Sequence, residues 1–555
     1  MGFAFNAKYK TAPKEVFQWK LFWIIFVAST GSITFAYDLA FIGGVFSLPA
    51  FINRFHITAA DSGPIQAHAV NIFQGGAFFG VILIYWFNES FGRRRALVLS
   101  AMVFNIGVII QMVSRGNIGV FYFGRVISGL GVGGISFAVP QYLSECAPPE
   151  VRGGCVGCFE IGMQVGTIIG FWINYGVQQN VGFASVPFVV MIPDDAGDRQ
   201  WFIPIAFQFI PPTLMSIGLM FLCESPRWYY LRHRKSDSVK ALVWLRNLPE
   251  DHPYLVRELA DYERQMEHEL SIATASGFRA IIKETFTKKM APRLVHGCLL
   301  MIFQNSTGIN AMNNFSVTFF KVLGFQSTSV KLFSTGIYGI VKGVGATITF
   351  LFLVDRFGRR PLVFVGSVLS AFSMFYVAAY SSVTHSFTTT QQPNAASNSA
   401  VAFIYIFGLG YAIGWNLPWI IAAEIFPTRI RSFCLVMTTC SHWIGEFYTA
   451  YAVTYMFKSI TYGTFLFFGC MTVLGGIYMY VFVPETRGVP LENMDILFEA
   501  PGLALQQMKY YQAFIDSQQS LEDYKAGENG TASIMGVETS ADTIPMDKVA
   551  TKSAV

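Results

Sequence analysis

The sequence predicts an all-α polytopic membrane protein: twelve transmembrane helices in two six-helix halves, with both termini in the cytoplasm. Three observations carry this. Of 555 residues, 13% are charged, 53% hydrophobic and 16% aromatic, with 54 Phe and 50 Gly, whereas soluble proteins carry roughly 25% charge. The mean hydropathy is +0.44, which implies more apolar surface than a soluble fold can hide or a disordered chain contains. Finally, apolar runs near the ~20 residues needed to cross hydrocarbon recur along the chain. The formal charge of +5 is small for this length and leaves no nucleic-acid footprint.

Taken in order, residues 1–20 are a cytoplasmic N-terminal segment. The N-terminal half, 21–223, contains runs at 21–45, 69–88, 96–114, 120–143, 154–176 and 201–223. The first run is too long for a signal-peptide core and lacks a cleavage-like flank, so it reads as a permanent span. Residues 224–293 are rich in Arg, Lys, Glu and His and predict a cytoplasmic linker of short amphipathic helices on the membrane surface. The C-terminal half, 294–484, repeats the pattern at 294–320, 331–354, 361–381, 401–424, 432–457 and 463–484. Residues 485–555 lose hydrophobicity and predict a cytoplasmic, largely disordered tail.

Orientation follows from Lys and Arg placement. The N-terminal segment holds 4, the linker 13 and the short inner loops 9, against 6 in the outer loops. Asn529-Gly-Thr then lies on the wrong side for glycosylation. The eight Cys sit in apolar runs or at their ends, so no disulfide framework is expected. Cys155 and Cys158 form a CxxC without a βαβ context, and no redox or metal chemistry is assigned to them. A repeat supports the two halves. Glu89-Ser-Phe-Gly-Arg-Arg follows the second run and Asp355-Arg-Phe-Gly-Arg-Arg the eighth, 266 residues on. Glu145 and Arg152 after the fourth run recur as Glu424 and Arg431 after the tenth.

These motifs, with Gly124-Arg125, Pro140-Gln-Tyr-Leu-Ser-Glu145, Arg152-Gly153, Glu224-Ser-Pro-Arg227 and Pro484-Glu-Thr-Arg-Gly488, resemble the sugar porter family of the major facilitator superfamily. The likeness covers nearly all of residues 20–490. It implies two parallel halves built from inverted three-helix repeats, with a site near the midplane. Thr11 to Trp19 and Tyr37-Asp-Leu-Ala-Phe-Ile-Gly43 are most similar to fungal members, in the branch that holds quinate and sugar-acid permeases beside monosaccharide carriers. The resemblance implies a secondary active transporter importing a monosaccharide (hexose or pentose) with protons by alternating access. The alternatives are a proton-coupled permease for a sugar acid or quinate, a passive sugar facilitator, and a non-transporting nutrient receptor. Expected partners are the small-molecule substrate, protons and the lipid bilayer, with no nucleic acid, a monomeric functional unit and a place in the plasma membrane. No cofactor is expected beyond the proton as coupling ion. Without a nucleophile–base set, a metal-ligand set or a Walker motif, neither an enzyme nor an ATP-driven pump is expected.

An ionisable group at mid-bilayer is costly and needs a reason. Asp38 lies in the first run and Arg125 in the fourth. The resemblance implies that they pair and that Asp38 takes the coupling proton. A neighbouring guanidinium holds the carboxylate ionised, and loosening the pair lets it protonate; a static ion pair is the rival reading. Lys342 is about a dozen residues from either end of the eighth run, too deep to reach an interface. His442 and Glu446 share a face of the eleventh. Either Lys342 attracts a substrate carboxylate, or Lys342 and Glu446 neutralise each other and leave a site for neutral sugars. The second is preferred, because an unpaired Glu446 would repel an anion.

Sugar hydroxyls need donors and acceptors together, and an aromatic face to lie against. The resemblance places Gln164, Gln304, Asn305, Asn310, Asn416, Trp419, His442 and Trp443 at the substrate, with Lys342 and Glu446 beside them. Glu160 lies one turn before Gln164, nearer the inner end. Asn305 and Asn416 depart from the family pattern. Asn314-Phe315 stands where the family closes an outer gate with paired tyrosines. Glu89, Arg93, Arg94, Glu145 and Arg152, with Asp355, Arg359, Glu424 and Arg431, form an inner charge network that could bridge the halves when the carrier faces outward, or only enforce topology. Gly129-Leu-Gly-Val-Gly-Gly134 lies in an apolar run with no preceding strand, so close helix contact explains it better than a nucleotide loop.

Overall fold

The computed structural model describes residues 13–58, 61–148, 150–180, 199–272, 278–325, 327–387, 394–427, 429–489 and 494–517. The first half comprises α1 (Trp19–Val45), α2 (Pro49–Arg54), α3 (Ser62–Phe91), α4 (Arg93–Met112), α5 (Ile118–Cys146), α6 (Arg152–Asn180), α7 (Arg199–Phe207) and α8 (Ile210–Met220). The polar middle forms α9 (Pro226–Leu231), α10 (Lys235–Arg246), α11 (Pro253–Ile272) and α12 (Phe278–Thr285). The second half comprises α13 (Ala291–Ser306), α14 (Ile309–Val322), α15 (Thr328–Ile348), α16 (Val354–Phe357), α17 (Arg359–Val383), α18 (Ala395–Gly414), α19 (Pro418–Glu424), α20 (Arg431–Ser459) and α21 (Gly463–Phe482). The short α22 (Met494–Glu499) follows. Among the described residues, nine helical segments are long and apolar enough to cross a membrane. The α6 helix, the α13–α14 pair and α20 stand at the remaining three apolar runs.

Several runs that read as continuous are broken, each for a local reason. Gly308 separates α13 from α14 at φ +90°, a conformation that glycine adopts without strain; a Cβ there would strike the Phe468 ring at 2.7 Å. Pro418 begins α19 after the turn that ends α18, and Pro211 and Pro212 begin α8, where a missing N–H costs least. Pro140 is absorbed inside α5. The described part of the tail is more ordered than expected: α22 and a helical stretch at 504–517 are formed. Arg293 reaches Asp495 at 2.5 Å and Lys289 reaches Glu499 at 3.1 Å, tying the tail to the start of α13.

Within the first half α5 packs on α3 and α4, and α1 on α6; in the second, α17 packs on α18 and α21. The small residues of α5 explain the closeness, since a Cβ at Gly133 would run into the Ala77 carbonyl and one at Gly131 into the backbone of Phe104. The halves meet where α3 packs on α20, α6 on α15 and α1 on α14. Large apolar side chains such as Phe22, Phe79, Trp86, Phe123 and Phe372 are more than half exposed. That is an outer surface suited to lipid rather than water.

The charges expected on the inner side form two matching clusters, one per half. The buried Arg93 guanidinium donates to Glu145, Nε to Oε2 at 3.0 Å, and reaches Glu89 at 3.2 Å. Ser225 also donates to Glu145. Arg359 donates to Glu424 at 2.9 Å and lies 3.9 Å from Asp355, and Thr486 donates to Glu424 at 2.7 Å. Each cluster also carries an acid seated on a helix N-terminus. Glu224 accepts the backbone N–H of Arg93 at 2.9 Å and of Arg94 at 3.1 Å. Glu485 accepts those of Arg359 at 3.0 Å and Arg360 at 2.9 Å. Both acids answer the free N–H groups and positive end of a helix, and both press on a glycine at positive φ, Gly92 and Gly358.

Among the described residues, the ion pairs given for these acids and arginines lie within one half or the other. Glu89, Arg93 and Glu145 close on their own half, as do Asp355, Arg359 and Glu424, while Arg94 donates to the Met220 carbonyl at 3.3 Å and Arg431 to that of Phe426 at 3.1 Å. Arg93 and Arg359 each find a carboxylate within their own half. The Arg152 side chain lies outside the described residues. Near these clusters neutral groups of the two halves are in contact, Gln141 donating to Ser432 at 2.8 Å and the Tyr85 and Phe433 rings lying 6.3 Å apart.

The linker helices are docked by one buried pair. Arg246 donates to Glu258 at 2.7 and 3.0 Å and to the Cys146 carbonyl at 2.8 Å, joining α10 and α11 to the inner end of α5. Burial alone would discourage its charge, but Glu258 more than offsets this and raises the Arg246 pKa above its ordinary range. Arg246→Ala should strand a buried carboxylate and cost about 3–5 kcal/mol. A clear fall in Tm of the detergent-purified protein checks this, and an unchanged Tm counts against the docking role.

Candidate functional site

Between the halves lies a small cavity of about 40 Å³, opening into about 450 Å³ of atom-free space that includes its mouth. Its walls come from both halves: Ala36 and Leu39 of α1; Glu160, Met163, Gln164 and Thr167 of α6; Gln304 of α13; Ile309, Asn310 and Asn313 of α14; Lys342 of α15; Tyr411 of α18; Asn416 and Trp419; His442 and Glu446 of α20. Many of these face inward because their helices are broken beside them. The Gly308 break turns Gln304 and Asn310 to the same space, and the Trp415–Leu417 turn presents Asn416 and Trp419.

Several wall amides have polar atoms to spare. Gln164 Oε1, Gln304 Oε1, Asn313 Oδ1 and Asn416 Nδ2 are buried without a hydrogen-bond partner, as is Glu160 Oε1. Such atoms are costly unless something meets them. Here they form a mixed set of acceptors and donors around one space, which is the chemistry a polyhydroxylated solute needs. Trp419 supplies a ring, its centroid 4.7 Å from that of His442.

Behind the α1 wall, Asp38 and Arg125 meet in an ion pair with 0% and 1% exposure. Arg125 Nη1 donates to both Asp38 oxygens at 2.8 Å. Its Nε donates to the Ala69 carbonyl at 3.2 Å, and its guanidinium lies over the Phe73 ring at 4.2 Å. The pair expected from the sequence is thus formed, and neighbouring residues of Asp38 on α1 line the cavity.

Glu446 and His442 do share a face, with His442 Nε2 3.2 Å from Glu446 Oε1. Lys342 and Glu446, however, do not neutralise each other as expected. Glu446 is met by His442 and by Gln74, which donates to it at 3.5 Å. Lys342 is met electrostatically by Glu160 of the opposing α6 and forms no ion pair among the described residues. The α6–α15 packing sets this arrangement, bringing Glu160 rather than α20 to the lysine.

Two sequence-predicted residues stand behind the wall instead of on it. Asn305 donates to the Met301 carbonyl at 2.8 Å and the His442 carbonyl at 3.2 Å, and lies 3.1 Å from His442 Nδ1. It also accepts from Asn310, so it positions wall residues. Trp443 is fully buried, donates to Ser136 at 3.3 Å and packs on Phe35 with centroids 5.2 Å apart, a contact across the halves. Asn314 and Phe315, expected at an outer gate, sit where α14 approaches α1. Gln66 donates to the Asn314 carbonyl at 2.7 Å, and Gly43 allows that carbonyl close. Phe315 is buried and departs from helical geometry at φ −123° and ψ 19°. The sequence reading missed Tyr411, Asn313 and Thr167, and gave Glu160 no role. Only the depth of Glu160 within an apolar run signalled it.

Residues 24–498 match the family described as sugar (and other) transporter. A probable quinate permease of Aspergillus niger is 39% identical over 500 residues, covering 88% of this chain and 90% of the relative. The quinate permease of Emericella nidulans is 36% identical over 496 residues, covering 88% and 90%. In shape, the chain is similar to the proton:xylose symporter XylE bound to 6-bromo-6-deoxy-D-glucose, with a TM-score of 0.71 and 25% identity over 86% of this chain and 99% of that one. It is also similar to the partially occluded inward-open xylose transporter XylE of E. coli, with a TM-score of 0.68, 23% identity and coverage of 85% and 100%.

Wall and support residues should separate on mutation. Gln164→Ala or Asn416→Ala should weaken binding of a small polyhydroxylated solute by about 1–3 kcal/mol while Tm stays nearly unchanged. Trp443→Ala should instead destabilise the fold by the ~3–5 kcal/mol typical of a buried aromatic, seen as a clear fall in Tm. Equilibrium binding and thermal melts on the same preparations distinguish the two classes.

Proposed function

This chain belongs to the sugar (and other) transporter family, and we propose that it is a proton-coupled carrier of a small polyhydroxylated solute, working by alternating access. The observation that carries the reading is the cavity between the halves, walled by spare amides and backed by the Asp38–Arg125 pair. The proposal includes twelve spans, inner Lys- and Arg-rich loops with both termini cytoplasmic, a monomeric functional unit and a place in the plasma membrane.

The substrate favoured is a quinate-type acid, a ring bearing hydroxyls and one carboxylate. The sequence alone favoured a neutral monosaccharide, because Glu446 was expected to need Lys342. With Glu446 met by His442 and Gln74, that reason falls away. Lys342 then offers a cation to a substrate carboxylate, while Gln164, Gln304, Asn310 and Asn416 take hydroxyls and Trp419 the ring face. The names of the fungal relatives support the same choice. A neutral monosaccharide remains the second reading, supported by the same amide-and-tryptophan wall and by the xylose symporter among the similar structures.

In the cycle proposed, Arg125 holds Asp38 ionised until the pair loosens. Asp38 then takes a proton from the outer side, the cavity closes around the solute, and re-pairing on the inner side releases the proton. Because only a loaded or an empty carrier can turn over freely, solute is drawn inward by the proton gradient. The inner clusters bias the balance between facing states, each holding its half rigid at the helix ends.

Asp38→Asn should abolish accumulation of labelled solute against a gradient while counterflow exchange persists; undiminished accumulation would sink the proton role. Lys342→Met should lower uptake of labelled quinate by about tenfold or more, the loss of roughly 1.4 kcal/mol, with glucose uptake little changed. Equal loss of both would remove the carboxylate reading.

A further inference from the structure

We propose that Lys331 and Lys321 form a receiving site for the carboxylate of the solute, on the outer side of the cavity in the proposed topology. The inference rests on the reading of the substrate as a ring bearing hydroxyls and one carboxylate, and gives that anion a second position. Lys331 lies in the first turn of α15, at the end of the helix remote from Asp355. It is 8% exposed. Lys321, in the last turn of α14, is close enough to repel it. Among the described residues neither ammonium forms an ion pair. A cation enclosed beside another cation is costly until an anion meets it. The helix adds to this. Ser327 caps α15 without a side-chain hydrogen bond, so the free N–H groups and positive end of a 21-residue helix lie beside the two lysines.

Helix register ties this place to the cavity. Lys331, Thr335, Tyr338 and Lys342 follow one another at helical spacing and share one face of α15, and all four are buried. Lys342 lines the cavity. The rise of an α-helix puts the two lysines about 16 Å apart along the axis, farther than one ring and its carboxylate can span. They therefore serve the anion in succession. Between them stands Tyr338, fully enclosed, whose Oη has no hydrogen-bond partner. Gly408 of α18 lets its ring come close, and it bears electrostatically on Tyr411 of the cavity wall. Side chains of a helix lean toward its N-terminus, which carries the Tyr338 hydroxyl toward Lys331. An unmet hydroxyl between two cations gives the carboxylate a donor between its two positions.

A lipid phosphate would offer an anion of similar chemistry, but the geometry favours the solute. The side of α15 open to lipid carries Val330, Phe333, Ile340 and Val344, all exposed. Phe333 and Ile340 lie nearly half a turn around the helix from Lys331. The ammonium thus shares its face with the cavity lysine and not with the lipid-facing side. A cation placed before a site raises the local concentration of an anionic solute and speeds its capture, and salt weakens the effect. A neutral sugar gains nothing from it. The pair therefore acts on specificity, by favouring entry of acids over neutral sugars that the amide wall would accept equally well.

The test compares initial uptake of labelled quinate and labelled glucose, each at trace concentration, into proteoliposomes that hold the full chain, at low and at physiological salt. Lys331→Gln should lower the quinate-to-glucose uptake ratio about tenfold and flatten the fall of quinate uptake with salt. Lys321→Gln, at an exposed position, should shift both in the same direction, and Lys331→Arg, which keeps the charge, should restore most of the ratio. An unchanged ratio in both Gln variants overturns the receiving site. Equal loss of quinate and glucose uptake overturns it too, since a lysine that only holds the fold or a lipid headgroup would give that result. Lys342→Met reports on the cavity itself. A ratio that falls in K331Q but not in K342M would remove the carboxylate position in the cavity and leave the receiving site standing. Glucose uptake by the wild type with no quinate uptake would overturn both.

Discussion

A charge enclosed by helices in hydrocarbon must be met by another group of the protein, and the pairing of Asp38 with Arg125 is where this constraint is most severe. Neither group has water to fall back on. The guanidinium is consequently met on every side: both carboxylate oxygens, the Ala69 carbonyl and the Phe73 face. Three helices, α1, α3 and α5, are thereby fixed to one another just behind the cavity. A pair held this fully cannot open without disturbing α3, and α3 is the helix that packs on α20 of the other half. The buried ion pair and the meeting of the halves are thus parts of one mechanical unit.

The same constraint, relaxed near the membrane surface, yields the duplicated inner clusters. There an arginine at the start of a helix meets an acid from the next inner loop region of its own half, and a second acid covers the helix N-terminus beside a glycine at positive φ. The two copies use different spacings in sequence but the same physical parts. They brace each half internally, while neutral contacts such as Gln141–Ser432 and the Tyr85–Phe433 rings join the halves nearby. Such contacts suit a seam that opens and re-forms in the proposed cycle.

Much of the helix placement could be read from the sequence, because hydropathy and length respond to the hydrocarbon slab itself. The repeat at Glu89 and Asp355 likewise corresponds to the two matching clusters around Arg93 and Arg359. What could not be read was rotation. Whether Lys342 turns toward α20 or toward α6 depends on how α15 seats on its neighbours, and no periodicity in one helix encodes that. For the same reason Asn305 and Trp443 matched a pattern yet stand behind the wall, while Tyr411 and Asn313 reach it. The roles of Glu224 and Glu485 were hidden differently. Their motifs were visible, but the helix N-termini they cap belong to segments well over a hundred residues earlier in the chain.

The claim at the centre is that the cavity and the buried ion pair form one coupled device. The most direct measurement is of external pH when quinate or glucose is added to unbuffered proteoliposomes containing the protein, with no gradient imposed beforehand. Coupling predicts alkalinisation of the medium that begins with solute entry, scales with it and collapses with a proton ionophore. Solute entry with no proton movement, at a rate the ionophore leaves unchanged, would contradict it.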